Sequence, residues 1–149
     1  MKTPQNVFLI LFIVASIFIN STSILAQNIE LTIKGIRSSK GQLLLGVFKD
    51  NESFNKEKPY KGFKFSKKDI ANGTLTVKFN LEPGIYGMSL LDDENSNGKM
   101  DYNFIGIPQE GFGFSDYYHK ALSKPDFEMF KIRVDGEYQK VEIIIRYIL

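Results

Sequence analysis

The sequence predicts an all-β protein, a single antiparallel β-sandwich of about seven strands. Three observations favour this class. Short runs alternate apolar and polar residues with a period of two, turn-forming glycine, proline and asparagine interrupt them at close intervals, and no long amphipathic helix pattern occurs. A β-barrel produces the same alternation, so it remains the alternative architecture.

Six segments carry the strand pattern, and each is bounded by turn-forming residues. They are residues 29–36, 42–48, 73–79, 85–91, 127–134 and 138–148. We expect the first two to form a hairpin across R-S-S-K-G, and the last two to form another across D-G-E. Residues 66–71 suggest one helical turn. The Lys-rich residues 56–68 are expected to form a solvated loop beside an edge strand, and binding of an anionic polymer is the alternative.

The first 26 residues are typical of a secretory signal peptide. Residues 7–19 are apolar except for Ser16, and this run follows one lysine and no acid. Because this run is shorter than the roughly 20 apolar residues that span a bilayer, we expect cleavage after Ala26; cleavage after Ser23 and an uncleaved anchor are the alternatives. The β-sandwich domain is then residues 27–149, exported to the periplasm or the extracellular space, with no membrane span after cleavage.

Charge and reactive residues narrow the functional class. Removing Lys2 from the 19 basic residues leaves 18 against 17 acidic ones, a near balance that offers no long-range field for nucleic acid. The chain has no cysteine, which excludes disulfides and cysteine catalysis. Its one histidine, His119, stands in a context that matches no nucleophile motif. We therefore expect a protein that is not an enzyme.

One segment concentrates oxygen-bearing side chains: D-D-E-N-S-N-G-K-M-D, residues 92–101, called the acidic loop below. Counted from Asp93, its polar residues alternate as in the first three-quarters of a calcium loop, with Gly98 at the position of the sharp turn. The predicted ligands are the side chains of Asp93, Asn95, Asn97 and Asp101 and the carbonyl of Lys99. Position twelve is Phe104 in place of the usual glutamate, so Ca²⁺ would bind weakly, at roughly 0.1–1 mM.

Two questions about the acidic loop stay open at this stage. The missing ligand could be water or a carboxylate from elsewhere, and Asp92, Glu110 and Asp116 are the candidates. A plain turn is the alternative to a metal site, because Asn97-Gly98 is a strong hairpin signal and Asn and Asp side chains bond their own backbone.

The stretch L-L-D-D-E-N-S-N-G-K-M-D-Y-N-F-I-G-I-P-Q-E-G-F-G-F-S, residues 90–115, resembles the signature of the secreted bacterial proteins grouped as domain of unknown function 2141. Residues 35–48, the L-E-P-G-I-Y turn and K-P-D-F extend the resemblance over nearly the whole mature chain. It implies a secreted β-sandwich similar to transthyretin-like and carboxypeptidase regulatory-like modules, and it implies no activity. Asp92 stands where that family usually has histidine.

The loop at residues 106–119, rich in glycine and aromatic residues, is expected to be too irregular for a strand. Its rings, Phe112, Phe114, Tyr117 and Tyr118, could present flat faces to a sugar or peptide, or pack against the domain itself. The sequence thus predicts an exported, non-catalytic binding or structural module, with a weak Ca²⁺ site and an unknown protein or cell-surface polysaccharide as partner. The alternative is a carbohydrate-binding or carbohydrate-active protein that uses this aromatic loop, with Glu110 or Asp116.

Overall fold

The computed structural model describes residues 27–148, and it confirms the all-β class. The predicted signal peptide lies outside these residues. Within them the chain forms eight strands, one short α-helix and one 3₁₀ turn at Phe127–Met129. The strands are β1 Ile29–Lys34, β2 Gln42–Phe48, β3 Lys61–Ser66, β4 Thr74–Phe79, β5 Gly84–Asp93, β6 Gly111–Phe114, β7 Lys131–Val134 and β8 Gln139–Ile144; the helix is α1 Asn51–Asn55.

The strands form two sheets. One has three strands in the order β4-β1-β8, and the other has the order β3-β2-β5-β6, with β7 pairing the first half of β5. The predicted hairpin of the first two segments is wrong, because β1 and β2 lie in different sheets. The chain leaves the first sheet at Gly35 and enters the second at Gly41, and both adopt positive φ, +79° and +72°.

Strand direction and the last predicted hairpin also differ from expectation. Strands β1 and β8 run parallel, with Leu31 opposite Val141, so the structure is not wholly antiparallel. Strand β7 pairs β5 while β8 pairs β1, so the turn at D-G-E connects the two sheets. Turn residues between two strands fix a change of direction but not which sheet receives the next strand.

Two strands were missed from the sequence, which is why the count is eight. Strand β3 lies within the Lys-rich segment that was expected to be a loop; it is an edge strand, where lysine discourages further pairing. Strand β6 lies within the aromatic segment that was expected to be irregular. A Cβ at Gly113 would lie 2.5 Å from Ile143 Cγ2 and 2.8 Å from the carbonyl oxygen of Ile144, so glycine here allows β6 to approach β8 closely.

The helix also differs in position from expectation. Of residues 66–71, Ser66 ends β3, and the others form a bend, a turn and an isolated bridge instead of a helical turn. Helix α1 begins after Asp50, whose side chain accepts the backbone N–H of Ser53 at 2.7 Å as an N-cap.

Two buried clusters support the sheets. The main core takes side chains from both sheets, among them Leu31 and Ile33 of β1 and Leu43 and Leu45 of β2. A second cluster, called the aromatic cluster, consists of Phe48, Phe54, Phe114, Phe127 and Phe130, with Phe112 and Tyr117 packed against it. It attaches α1 and the 3₁₀ turn to the five-stranded sheet.

Candidate functional site

The acidic loop is organised by the carboxylate of Asp93 at the end of β5. Its Oδ1 accepts the backbone N–H of Asn97 at 3.0 Å, and its Oδ2 accepts that of Gly98 at 2.9 Å. Oδ2 also accepts Gln42 Nε2 at 2.6 Å from the neighbouring strand. Burial alone would raise the pKa of Asp93, but these donors outweigh it and hold that pKa below its usual value. The chain therefore folds back over a buried carboxylate.

Asp101 brings the two asparagines of the loop together. Its Oδ2 accepts Asn95 Nδ2 at 2.6 Å and Asn97 Nδ2 at 2.8 Å. The amide oxygens point the other way: Asn95 Oδ1 accepts the N–H of Asn97, and Asn97 Oδ1 accepts that of Lys99, both at 3.0 Å. Each of these two side chains bonds the N–H two residues further along the chain, which is an Asx turn. Three predicted ligands thus meet, but amide nitrogens face the shared point.

The loop holds part of what a calcium ion requires. An ionised carboxylate offers about four lone-pair sites, and Asp93 uses three of them. Asn95 and Asn97 would have to turn their amides by about 180° to direct oxygen towards Asp101. No group of three carboxylate, imidazole or thiol side chains within residues 27–148 is placed to hold a metal ion, so backbone carbonyls and water would complete the shell. Calcium binding stays a prediction.

Of the three carboxylates considered as a further ligand, only Glu110 has its side chain beside a predicted ligand, Asp101. Its Oε1 accepts the N–H of Glu94 at 3.0 Å, and its Oε2 accepts that of Asp101 at 3.3 Å. Burial raises the pKa of Glu110 in spite of these two donors. Asp92 points into the core, where it pairs with Lys67, and Asp116 bonds the N–H of Glu142 on β8 at 2.8 Å.

Residues 101–109 continue the acidic loop as a small hairpin. Gln109 donates its N–H to the carbonyl of Asp101 at 2.8 Å, and Tyr102 bridges to Pro108. Asn103 fixes the tip, because its Oδ1 accepts the N–H groups of residues 105 and 107 at 3.0 and 2.9 Å. The tip presents Phe104, which is 98% exposed. The acidic loop and this hairpin are joined by hydrogen bonds into one unit beside the sheet, residues 92–109, called the projection below.

A groove crosses the face of the five-stranded sheet that points away from the main core. Leu44, Leu91 and Phe112 are directly opposite one another on β2, β5 and β6, and Ser89 and Phe114 form the next row. Successive strand residues point to opposite faces, so these residues lie on the face opposite Leu43, Leu45 and Leu90 of the core. They form the floor of a cavity of about 550 Å³, called the sheet groove below.

The walls of the sheet groove come from loops. One wall is the projection, which contributes Gly98, Lys99, Met100, Tyr102, Gly106 and Pro108. The other wall consists of His119 and residues 122–125, together with Phe54 of α1 and Glu57 and Pro59 after it. Tyr102 is 58% and Leu122 68% exposed. Lys99 and Lys124 line the groove and Glu57 is its one carboxylate; Lys124 lies 3.3 Å from Glu57. The site therefore combines aromatic and apolar surface with a small excess of positive charge.

Polar contacts hold the second wall. His119 is buried; its Nε2 lies 2.5 Å from the carbonyl of Ser123 and its Nδ1 lies 3.3 Å from the hydroxyl of Tyr117. Arg146 donates to the carbonyls of His119 and Ala121 at 3.0 and 2.8 Å. The single histidine thus shapes the loop through contacts on both ring nitrogens.

The four rings predicted as a ligand surface separate into two groups. Phe112 and Phe114 line the sheet groove, although Phe114 is mostly covered by the aromatic cluster. Tyr117 packs against that cluster, and Tyr118 is 45% exposed but does not line the groove. Sequence reasoning missed Leu44, Leu91 and Tyr102. The sequence did contain a signal for the two leucines: apolar residues are consecutive at 43–45 and 90–91. A strand with only one buried face would alternate apolar and polar residues there, so the runs indicate apolar side chains on both faces.

The remaining findings concern membrane-spanning helices and comparisons with known proteins. No helix among the described residues has the length and apolar character needed to cross a membrane. No curated protein and no solved structure matches the chain. A family model described as an uncharacterized protein conserved in bacteria, DUF2141, matches residues 31–142. That span covers most of both sheets and the whole acidic loop, and the chain therefore belongs to the DUF2141 family.

Proposed function

We propose that this protein is an exported, non-catalytic binding module that holds a cell-surface polysaccharide in its sheet groove. The two sheets, which share one core, would form a β-sandwich of the transthyretin-like kind, with the groove on its outer face. The sheet groove carries the proposal, because it is the place where aromatic rings, apolar floor and hydrogen-bonding groups meet at an open surface.

The chemistry of the lining favours a saccharide. Sugar rings have apolar faces that pack on aromatic side chains and hydroxyl edges that need both donors and acceptors. Tyr102 and Phe112 offer ring surface, and Ser89 and Lys99 offer polar groups within the same cavity. The excess of lysine over carboxylate favours a saccharide that carries acidic groups.

The acidic loop contributes by ordering one wall of the groove. Gly98, Lys99 and Met100 belong both to this loop and to the groove lining. Ca²⁺ bound by Asp101 and the asparagines would stiffen the wall and reduce the entropy lost when a ligand binds. Without Ca²⁺ the hydrogen bonds of Asp93 and Asp101 hold the wall alone, so calcium would strengthen binding but not be required for it.

Native electrophoresis through gels that contain one polysaccharide at a time tests the proposal. The protein should be retarded by at least one acidic polysaccharide, and Tyr102→Ala should reduce the retardation. Tyr118→Ala is the matched control, since it removes a comparably exposed tyrosine that does not line the groove. Equal loss of retardation in both variants would mean that the ligand does not bind specifically in the sheet groove and also contacts the aromatic loop at residues 106–119. No retardation by any polysaccharide in a broad panel would refute the polysaccharide ligand.

A carbohydrate-active role remains a second candidate on the same groove, through the carboxylates predicted from the sequence. Glu110 supports the acidic loop and Asp116 supports β8, and neither lines the groove. The geometry therefore favours binding over hydrolysis. Release of reducing ends from a polysaccharide that the protein retains would reverse this preference.

A further inference from the structure

Lys67 and Asp92 form a buried pair at one end of the core. The side chain of Lys67 is 1% exposed and that of Asp92 is wholly buried, and the two are in direct contact. Lys67 follows edge strand β3, and Asp92 lies on β5. Leu43 on the intervening strand β2 is opposite both Phe65 and Asp92. The pair therefore joins the edge of the five-stranded sheet to its centre.

The surroundings leave this pair poorly solvated. A lysine ammonium has three N–H donors, yet neither Lys67 Nζ nor Asp92 Oδ1 has a hydrogen-bond partner elsewhere among residues 27–148. Asp92 Oδ2 accepts the hydroxyl of Tyr147 at 2.5 Å. A buried ion pair with unmet donors is unfavourable. A reaction that removes both charges would therefore stabilise this part of the core.

Tyr147 is held in position for a reaction between these two groups. Its hydroxyl oxygen accepts the backbone N–H of Arg37 at 3.2 Å, and the Arg37 guanidinium lies 4.2 Å from the centre of its ring. Its own hydrogen points to Asp92 Oδ2. A fixed donor on that oxygen stabilises negative charge that develops there when a nucleophile adds to the carboxyl carbon.

We propose that Lys67 and Asp92 condense to an intramolecular amide crosslink. One proton passes from the Lys67 ammonium to Asp92 Oδ1, and Nζ then adds to Cγ while Tyr147 bonds Oδ2. The Cγ–Oδ1 bond breaks, and Oδ1 leaves as water with that proton and a second proton from Nζ, so one hydrogen stays on the amide nitrogen. The product keeps one N–H and a carbonyl that accepts from Tyr147, so the site loses its buried charges and most of its unmet donors.

The crosslink would fix β3 to β5 across β2 in a chain that has no cysteine for a disulfide. It closes a covalent loop from residue 67 to residue 92 and thereby restricts the unfolded chain, as a disulfide does. This inference does not depend on the ligand of the sheet groove.

Intact mass spectrometry of the full chain, purified and then denatured, tests the crosslink. The wild-type mass should be about 18 Da below that of its own sequence, and tryptic digestion should give one branched peptide that contains residues 67 and 92. Lys67→Met should have its full sequence mass. Lys68→Met, a change at the exposed neighbouring lysine, should retain the loss of water.

Two further results keep the test decisive if Lys67→Met fails to fold. Tyr147→Phe keeps the ring and removes the donor, so part of the purified protein should lack the crosslink. The wild-type peptide map is sufficient by itself, because a covalent branch survives denaturation. A wild-type protein with unmodified peptides at both residues would overturn the proposal, and so would a loss of water that maps to any other position.

Discussion

Replacing Gly41 by alanine should displace the acidic loop and destabilise the protein. Gly41 has a φ of +72°, and a Cβ placed there would lie 2.0 Å from the carbonyl oxygen of Asp93 and 2.6 Å from the backbone of Glu94. The left-handed conformation costs a non-glycine residue about 1–2 kcal/mol, and overpacking against backbone adds about 1–3 kcal/mol. The free energy of unfolding should therefore fall by about 2–5 kcal/mol.

Two other glycines separate these contributions. Gly98 has a φ of +83° and open space around its Cβ position, and Gly62 has open space without a positive φ. Gly98→Ala should lose about 1–2 kcal/mol, and Gly62→Ala should change stability by less than about 1 kcal/mol. Urea unfolding followed by circular dichroism measures all three, since the chain has no tryptophan. If Gly41→Ala is no less stable than Gly98→Ala, the close contact with the acidic loop is refuted.

Two further predictions concern the acidic loop, and a third concerns Ser115 directly after β6. Asp93→Asn should lower the free energy of unfolding at pH 7, because an amide N–H would then face a backbone N–H. Folding lowers the pKa of Asp93, so its stabilising contribution is present above about pH 4 and is lost as the pH falls through the folded pKa. The urea unfolding curves of the wild type and the variant should therefore converge in acid. With a dissociation constant of roughly 0.1–1 mM, 10 mM Ca²⁺ should raise the free energy of unfolding by about 1.4–2.7 kcal/mol, and thermal melts should show no such rise for Asp101→Ala. Ser115→Ala should lower the free energy of unfolding by about 1–3 kcal/mol, because the buried hydroxyl donates to the carbonyl of Phe130 at 2.6 Å and accepts the N–H of Met88 at 2.9 Å. An unchanged midpoint of urea unfolding would contradict this role of the hydroxyl.

The class of the fold was predictable because alternation with a period of two marks strands directly. Strands β1, β2, β4 and β5 lie within or close to their predicted ranges. Sheet membership was not predictable, because the turn residues at 37–41 are compatible with a hairpin and with a crossing between sheets. The positive φ of Gly35 and Gly41 and the hydrogen bond from Ile36 to Gly73 decide this in the structure.

The candidate site was predictable in part. The spacing from Asp93 to Asp101 indicated an ordered loop, and the structure shows how its oxygens are used. The sheet groove could not be predicted, since it needs three strands in register and two loops separated by many residues. The Asp92 carboxylate illustrates the same limit: its sequence neighbours suggested a place beside the acidic loop, but the alternation of β5 turns it to the core, towards Lys67.

Titration calorimetry with the polysaccharide that retards the protein, or an oligosaccharide cut from it, tests the central claim most directly. Tyr102→Ala should weaken binding by roughly 2-fold to 12-fold, the loss expected for one aromatic contact of about 0.5–1.5 kcal/mol. Tyr118→Ala should bind as the wild type does. Equal affinity of Tyr102→Ala and the wild type would contradict a ligand site in the sheet groove.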